Sequence, residues 1–141
     1  MISDYARVLI KIMVWREMQN VPEAWKAVVH VVLNRAAKGG WWGHDIVTVV
    51  THPYQFSGMT APGEPPLTHW PQENGLWIEL GKAVDDVLDA GDPDPSAGAT
   101  FYFSLPLTQP PLVWGSVAKT WEVRGVQFFR QAESPSSPPT T

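Results

Sequence analysis

Glu17 is the side chain of this 141-residue sequence whose type and position most directly suggest chemistry. Ala6, Leu9, Ile10 and Met13 recur at steps of three and four, the spacing of one helix face, and Glu17 follows one turn later on that face. A carboxyl at the end of an apolar stripe loses water, and burial favours the protonated form that a general acid needs. Periodicity leaves a second reading open, in which Glu17 is a structural group paired with Arg16 or Arg35. The histidines, His30, His44, His52 and His69, show no compact His-x3-His pair of the kind that brings ligands together on one helix, so neither a metal site nor a cofactor is expected. His30 lies among valines in a helical stretch and reads as a core or half-buried residue. Ser57-Gly58 lacks the glycine that would precede it in a Gly-x-Ser-x-Gly elbow. The absence of cysteine removes thiolate nucleophiles, thiol redox chemistry and Cys-ligated zinc.

The elements that must position these residues are mainly helical. Ser3 can cap the first helix, and Asn20 and Pro22 mark the break before a second, on which Ala24, Ala27, Val28, Val31 and Arg35 share a face until Gly39-Gly40. Asp45 is placed to cap a short segment over Ile46–Val50, whose β-branched content suits helix or strand, with helix the preferred reading. From Thr51 to Pro71, five prolines and two glycines predict a long ordered loop. A third long helix is predicted from about Asn74 to Ala90, closed by Gly91. The period then changes: Ala99–Phe103 and Lys119–Phe129 are rich in β-branched and aromatic residues, with Arg124-Gly125 as a tight hairpin turn. The fold class expected is α+β, mainly α, with a small β-hairpin or sheet.

Composition narrows the function classes. The length suits one domain, predicted over residues 1–131, followed by a disordered Pro/Ser/Thr-rich tail over 132–141. Hydrophobic residues at 44% and charged residues at 17% suit a packed globular core. A formal charge of -4 provides no broad basic footprint, so nucleic acid is not expected as a partner. Apolar runs such as Ile12–Trp15 fall far short of the ~20 residues that span a bilayer, and no export signal is recognised at the N-terminus. The eight tryptophans supply core packing and flat faces on which sugar rings can stack.

Three segments together carry a resemblance. Val28-Val29-His30-Val31-Val32-Leu33-Asn34-Arg35, Pro53-Tyr54-Gln55-Phe56-Ser57 and Asp92-Pro93-Asp94-Pro95-Ser96-Ala97-Gly98-Ala99-Thr100-Phe101-Tyr102 occur in the order, and with the motifs, of the SleB-like cell wall hydrolases. Pro110-Pro111 and the closing hairpin through Phe128-Phe129-Arg130 are also similar to that family, which includes spore cortex-lytic enzymes and phage and bacterial peptidoglycan hydrolases. The resemblance implies a lysozyme-like helical domain that cleaves peptidoglycan glycan strands between N-acetylmuramic acid and N-acetylglucosamine. It places Glu17 at the family's catalytic glutamate, Gln55 and Ser57 along the cleft, and Tyr102 on the strand facing it. The family's frequent second glutamate, shortly after the first, is absent here or replaced by Glu23, and its usual histidine before the tyrosine is Phe101.

A lysozyme-type hydrolase needs a second carboxylate about 5–9.5 Å from the acid, for which Asp45, Glu64 and Glu73 are candidates. A lytic transglycosylase needs only one glutamate, because the muramoyl C6 hydroxyl is the nucleophile. The one-glutamate route is the expectation, with muramidase-type hydrolysis as its alternative. Small size and the absence of a recognisable export signal or wall-binding module predict a monomeric phage endolysin, held in the host cytoplasm and released to the wall through a holin-type pore protein. The rivals from other classes are a non-catalytic carbohydrate-binding module using Trp41, Trp42 and Trp70, and a zinc amidase.

Overall fold

Ser3 opens the first helix as expected: its side-chain oxygen accepts the Ala6 N–H at 3.1 Å, relieving one of the donors that a helix start leaves unpaired. The computed structural model describes residues 2–51, 75–104 and 107–132. Gln55, Ser57, Glu64, Glu73, Trp70 and most of the predicted tail lie outside them. Helix α1 spans Asp4–Met18 and α2 spans Trp25–Lys38. A 3-10 turn over Pro22–Ala24 precedes α2, so the second helix starts slightly later than proline chemistry suggested. Helix α3 spans Ile46–Thr51, and Asp45 caps it by accepting the Thr48 N–H at 2.9 Å. Helix α4 spans Gly75–Leu88.

The three long helices pack on one another because each presents an unbroken apolar face. Leu9, Ile10 and Met13 of α1, Val28, Val31 and Val32 of α2, and Leu80 and Val84 of α4 are fully buried in one core. Ion pairs tie the outer edges, Arg7 to Asp85 at 2.6 Å and to Asp89 at 2.9 Å, and Lys26 to Asp92 at 2.6 Å. These pairs are largely exposed and contribute little beyond register.

The small sheet has strands β1 (Phe101–Phe103), β2 (Val117–Val123) and β3 (Val126–Gln131), in the order β1-β3-β2 and antiparallel throughout. Arg124 at φ 45° and Gly125 at φ 81° make the two-residue connection whose twist suits a hairpin. Alternation along the strands divides the sheet between two clusters. Phe128 joins the helical core, while Phe101, Phe103 and Phe129 form a second aromatic cluster with Trp42.

The segment from Asp92 to Thr100 connects α4 to β1 and is held by the end of α2. Asn34 donates from its side-chain amide to Asp94 at 3.0 Å and to the Ala99 carbonyl at 2.9 Å. Asp94 also accepts the N–H groups of Ser96 and Gly98 and the Ser96 hydroxyl. Burial alone would raise the Asp94 carboxyl, but the hydrogen bonds from Ser96, Asn34 and the Gly98 and Ser96 backbone outweigh it and hold the group below the ordinary aspartate range. A depressed folded value stabilises the fold above the unfolded value and is lost as pH falls through the folded one. Asp94→Ala is expected to lower stability by about 1–3 kcal/mol at neutral pH. In thermal melts the gap from wild type should be full above pH ~4 and close as the pH falls below it; a gap that widens in acid would overturn this account.

Candidate active site

Glu17 sits on the last turn of α1, where the helix end is unusually well tied. The Met18 carbonyl, which has no partner within the helix, accepts the Val21 N–H at 3.0 Å and the Trp25 indole N–H at 2.8 Å. The turn carrying Glu17 is therefore fixed against the start of α2, and its side chain is half-buried. Tyr102 approaches from the sheet. Phe101 and Phe103 point into the aromatic cluster, so the intervening residue must point the other way, and its ring lies 5.6 Å from that of its cross-strand partner Phe128. The Tyr102 hydroxyl donates to Glu17 Oε1 at 2.7 Å.

Arg35, on the last turn of α2, is the third member of this group. It is buried, its Nε donates to the Thr100 carbonyl at 2.7 Å, and its guanidinium lies 5.6 Å from the centre of the Trp42 ring. Burial brings Arg35 down to about 10, and the nearby Tyr102 and Glu17 oppose that shift, so it stays charged at neutral pH. For Tyr102 burial is the main cause of a value well above the ordinary tyrosine range, reinforced by the charge and hydrogen bond of Glu17 and opposed by Arg35. The phenol is thus a permanent donor to Glu17.

Two cavities meet on Glu17. The larger, about 980 Å³, is lined by Arg35, Lys38, Trp41, Trp42, Tyr102 and Trp114 among others. The smaller, about 310 Å³, has a polar wall that includes Arg16, Gln19, Asn20 and Arg124. Glu17 belongs to both linings and is the only carboxylate in either among the described residues. The aromatic arm owes its shape to the Gly39–Gly43 turn. Gly39 adopts φ 69° and packs so closely on the His44 ring that a Cβ would collide with it, which lets the chain turn and present Trp41 with 63% of its surface exposed. Phe101, standing where the resembling family has a histidine, stacks on Trp114 at 4.6 Å and builds the arm's apolar wall.

Of the residues singled out in the sequence, Glu17 and Tyr102 are brought into direct contact, while Gln55 and Ser57 lie outside the described residues. Asp45 is spent on capping α3: it binds the Thr48 N–H and hydroxyl and lines neither cavity. Glu23 is exposed and pairs with Arg124 at 3.0 Å, so it does not take the place of a second glutamate in the cleft. His30 bonds the Asp92 carbonyl at 2.8 Å, a structural role. In the sequence Arg35 stands out as a pairing partner for Glu17 and as part of the Asn-Arg motif, whereas Lys38 and Trp114 do not stand out. An Asn-Arg pair ending a valine-rich helix, followed by Gly-Gly-Trp-Trp-Gly, was the available signal. Among the described residues no three His, Cys, Asp or Glu side chains converge as a metal site would require, and no helix is long and apolar enough to cross a membrane.

Residues 20–129 match the family described as Cell Wall Hydrolase, a span that begins just past Glu17. No curated protein matches the chain. Among solved structures, the chain is similar to the catalytic domain of the Bacillus cereus SleB protein, with 21% identity over 89% of this chain and 90% of that one and a TM-score of 0.66. It is also similar to the catalytic domain of the germination-specific lytic transglycosylase SleB from Bacillus anthracis, with 22% identity over 90% and 95% of the two chains and a TM-score of 0.68. The common feature is the fold: a mainly helical body carrying a small antiparallel sheet.

The contact between Tyr102 and Glu17 yields a direct test. Tyr102→Phe keeps the ring against Phe128 and deletes one charge-assisted hydrogen bond, so turnover on cell walls is expected to fall about ten- to a hundredfold with little change in melting temperature. Undiminished turnover would mean that this bond does not orient the working carboxyl.

Proposed function

The chain belongs to the cell wall hydrolase family, and from that membership we propose that it cleaves the peptidoglycan glycan strand between N-acetylmuramic acid and N-acetylglucosamine, acting as a lytic transglycosylase. One observation carries this reading: the Glu17 carboxyl stands where the two arms of the cleft meet, held by the Tyr102 hydroxyl. A strand lying along both arms would pass its scissile bond across Glu17. The exposed Trp41 offers a flat face for a sugar ring on one side, and the polar wall of the smaller arm offers hydrogen bonds on the other.

In the proposed reaction Glu17 first donates its proton to the glycosidic oxygen, which leaves as the C4 hydroxyl of N-acetylglucosamine as the bond to the muramoyl anomeric carbon breaks. The muramoyl C6 hydroxyl then bonds to that carbon and returns its proton to Glu17. No water is consumed, and the strand ends in a 1,6-anhydro sugar. Tyr102 keeps one carboxyl oxygen in place through both transfers. Arg35 lies close enough to Glu17 for their charges to act on each other, and its burial keeps it a neighbour rather than a proton donor. Support for the transglycosylase over the muramidase comes from the lone carboxylate in the described linings and from the fold shared with the Bacillus anthracis lytic transglycosylase. The proposed setting is bacteriophage lysis, as an endolysin reaching the wall through a holin-type partner; it is supported by the motif resemblance to a family that includes phage enzymes.

Glu17→Gln, nearly isosteric and unable to cycle a proton, is expected to lower turnover by at least a hundredfold in a protein that melts as wild type does. A folded variant keeping more than about a tenth of the activity would remove Glu17 from the reaction. Mass spectrometry of the products separates the two mechanisms. Anhydromuramoyl ends with no label after digestion in heavy-oxygen water are expected, whereas reducing, labelled ends would mean hydrolysis and would call for a second carboxylate, with Glu64 and Glu73 to be tested first.

A further inference from the structure

Among the described residues, the aromatic arm carries one cation, Lys38, whose contacts are with uncharged groups. The chain as a whole is acidic, with a formal charge of -4, yet among the described residues the charged lining of this arm is Arg35 and Lys38 against Glu17 alone. Arg35 and Glu17 lie close enough for their charges to act on each other. Lys38 has a different environment: its ammonium donates to the Gln131 side-chain carbonyl and lies 5.5 Å from the centre of the Trp42 ring. Both contacts hold the ammonium in place, and neither carries a negative charge to cancel it. Lys38 is exposed, and because Gln131 and Trp42 line the same arm these contacts place its ammonium at the cleft wall. Ordering a lysine side chain costs rotamer freedom, and a cation already ordered loses less when an anion arrives.

Resting on the transglycosylase reading above, we propose that Lys38 is a specificity residue that binds a carboxylate carried on the muramoyl unit, placing that unit in the aromatic arm and the departing N-acetylglucosamine in the polar one. The sugar rings of the strand are uncharged. Its carboxylates sit on the muramoyl side, either in the attached stem peptide or on the bare lactyl ether once the peptide is removed. An ammonium over the Trp42 ring, in the arm that also presents the exposed Trp41, matches that pairing of a sugar ring with a pendant anion. The polar arm also carries cations, Arg16 and Arg124, but Arg124 is already paired with Glu23 at 3.0 Å, so the direction of the strand rests on Lys38 being held by uncharged groups alone.

The test compares wild type, Lys38→Met and Lys38→Arg on three substrates: intact peptidoglycan, strands stripped of stem peptides by an amidase, and stripped strands whose lactyl carboxylates have been converted to neutral methylamides. On carboxylate-bearing strands Lys38→Met is expected to raise KM about tenfold or more with a smaller change in kcat, the loss associated with one charge-assisted hydrogen bond, and Lys38→Arg is expected to recover most of it. On the methylamide strands wild type should itself show the raised KM, and the two proteins should converge. A loss on intact but not stripped strands assigns the carboxylate to the stem peptide, a loss on stripped strands alone assigns it to the lactyl group, and a loss on both means that Lys38 reads either carboxylate. A constant ratio of wild type to Lys38→Met across all three substrates, or no loss on any, overturns the role of Lys38 while leaving the glycosidase reading standing. Failure of wild type to cut any of the three strands would instead overturn the glycosidase reading, and this inference with it. Matching melting temperatures for the three proteins separate recognition from folding.

Discussion

Burying the Arg35 guanidinium at the end of α2 is the constraint around which the cleft is arranged. An ionised group removed from water is costly unless its hydrogen bonds and its charge are answered by neighbours. The Thr100 carbonyl answers one donor, which fixes where the chain enters β1 and hence where Tyr102 stands two residues later. The Trp42 ring covers the cation from another side and so ties the Gly39–Gly43 turn to the same point. Glu17 supplies the compensating negative charge. One buried cation thereby couples the end of α1, the end of α2, the glycine-rich turn and the first strand, which are distant in sequence and adjacent at the site.

Asn34, the preceding residue, does the complementary work on uncharged groups. Its amide spans Asp94 and the Ala99 carbonyl, so the loop that delivers β1 is gripped at both ends by successive side chains of one helix. Strand alternation then divides the aromatic residues. Phe101 builds the wall of the larger arm with Trp114, Phe103 packs on Trp114 and Phe129, and Tyr102 turns its hydroxyl toward α1. Replacing the resembling family's histidine with Phe101 is thus compatible with the site, because that position faces the aromatic cluster and the hydroxyl that matters comes from its neighbour.

Helix periods, the Ser3 and Asp45 caps, the Gly39 stop and the Arg124-Gly125 hairpin were legible in the sequence because each depends on residues within a few positions of one another. Glu17 was legible for the same reason: it ends a stripe whose period can be counted. What local pattern does not contain is the partner across the fold. Asn34 and Arg35 could be noted as a motif, but their purpose, to hold a segment some sixty residues further on, is a tertiary fact. Asp45 shows the converse limit. As an isolated carboxylate it was a candidate for catalysis, and only the Thr48 contacts reveal that capping consumes both its oxygens. Lys38 and Trp114 carried no recognisable signal, since a lysine at a helix end and a tryptophan in a proline-rich connection are common where nothing binds.

The division of the cleft bears on why a single carboxylate is sufficient in the proposed reaction. Hydrolysis requires the protein to hold and activate a water, a task that calls for a second acidic group at a set distance. Intramolecular attack by the muramoyl C6 hydroxyl transfers that task to the substrate, and the protein must then keep one ring oriented and keep competing water away. The aromatic arm is suited to both, with Trp42, Phe101 and Trp114 packed edge-on and face-on into a rigid apolar wall beside Glu17. The proton that leaves the carboxyl must return to it, so the carboxyl must not rotate away between the two transfers. Tyr102 provides that restraint, and its hydroxyl remains a donor because burial and the neighbouring carboxylate both oppose its ionisation. In the proposed reaction, positioning of one acid takes the place of a matched pair of acids.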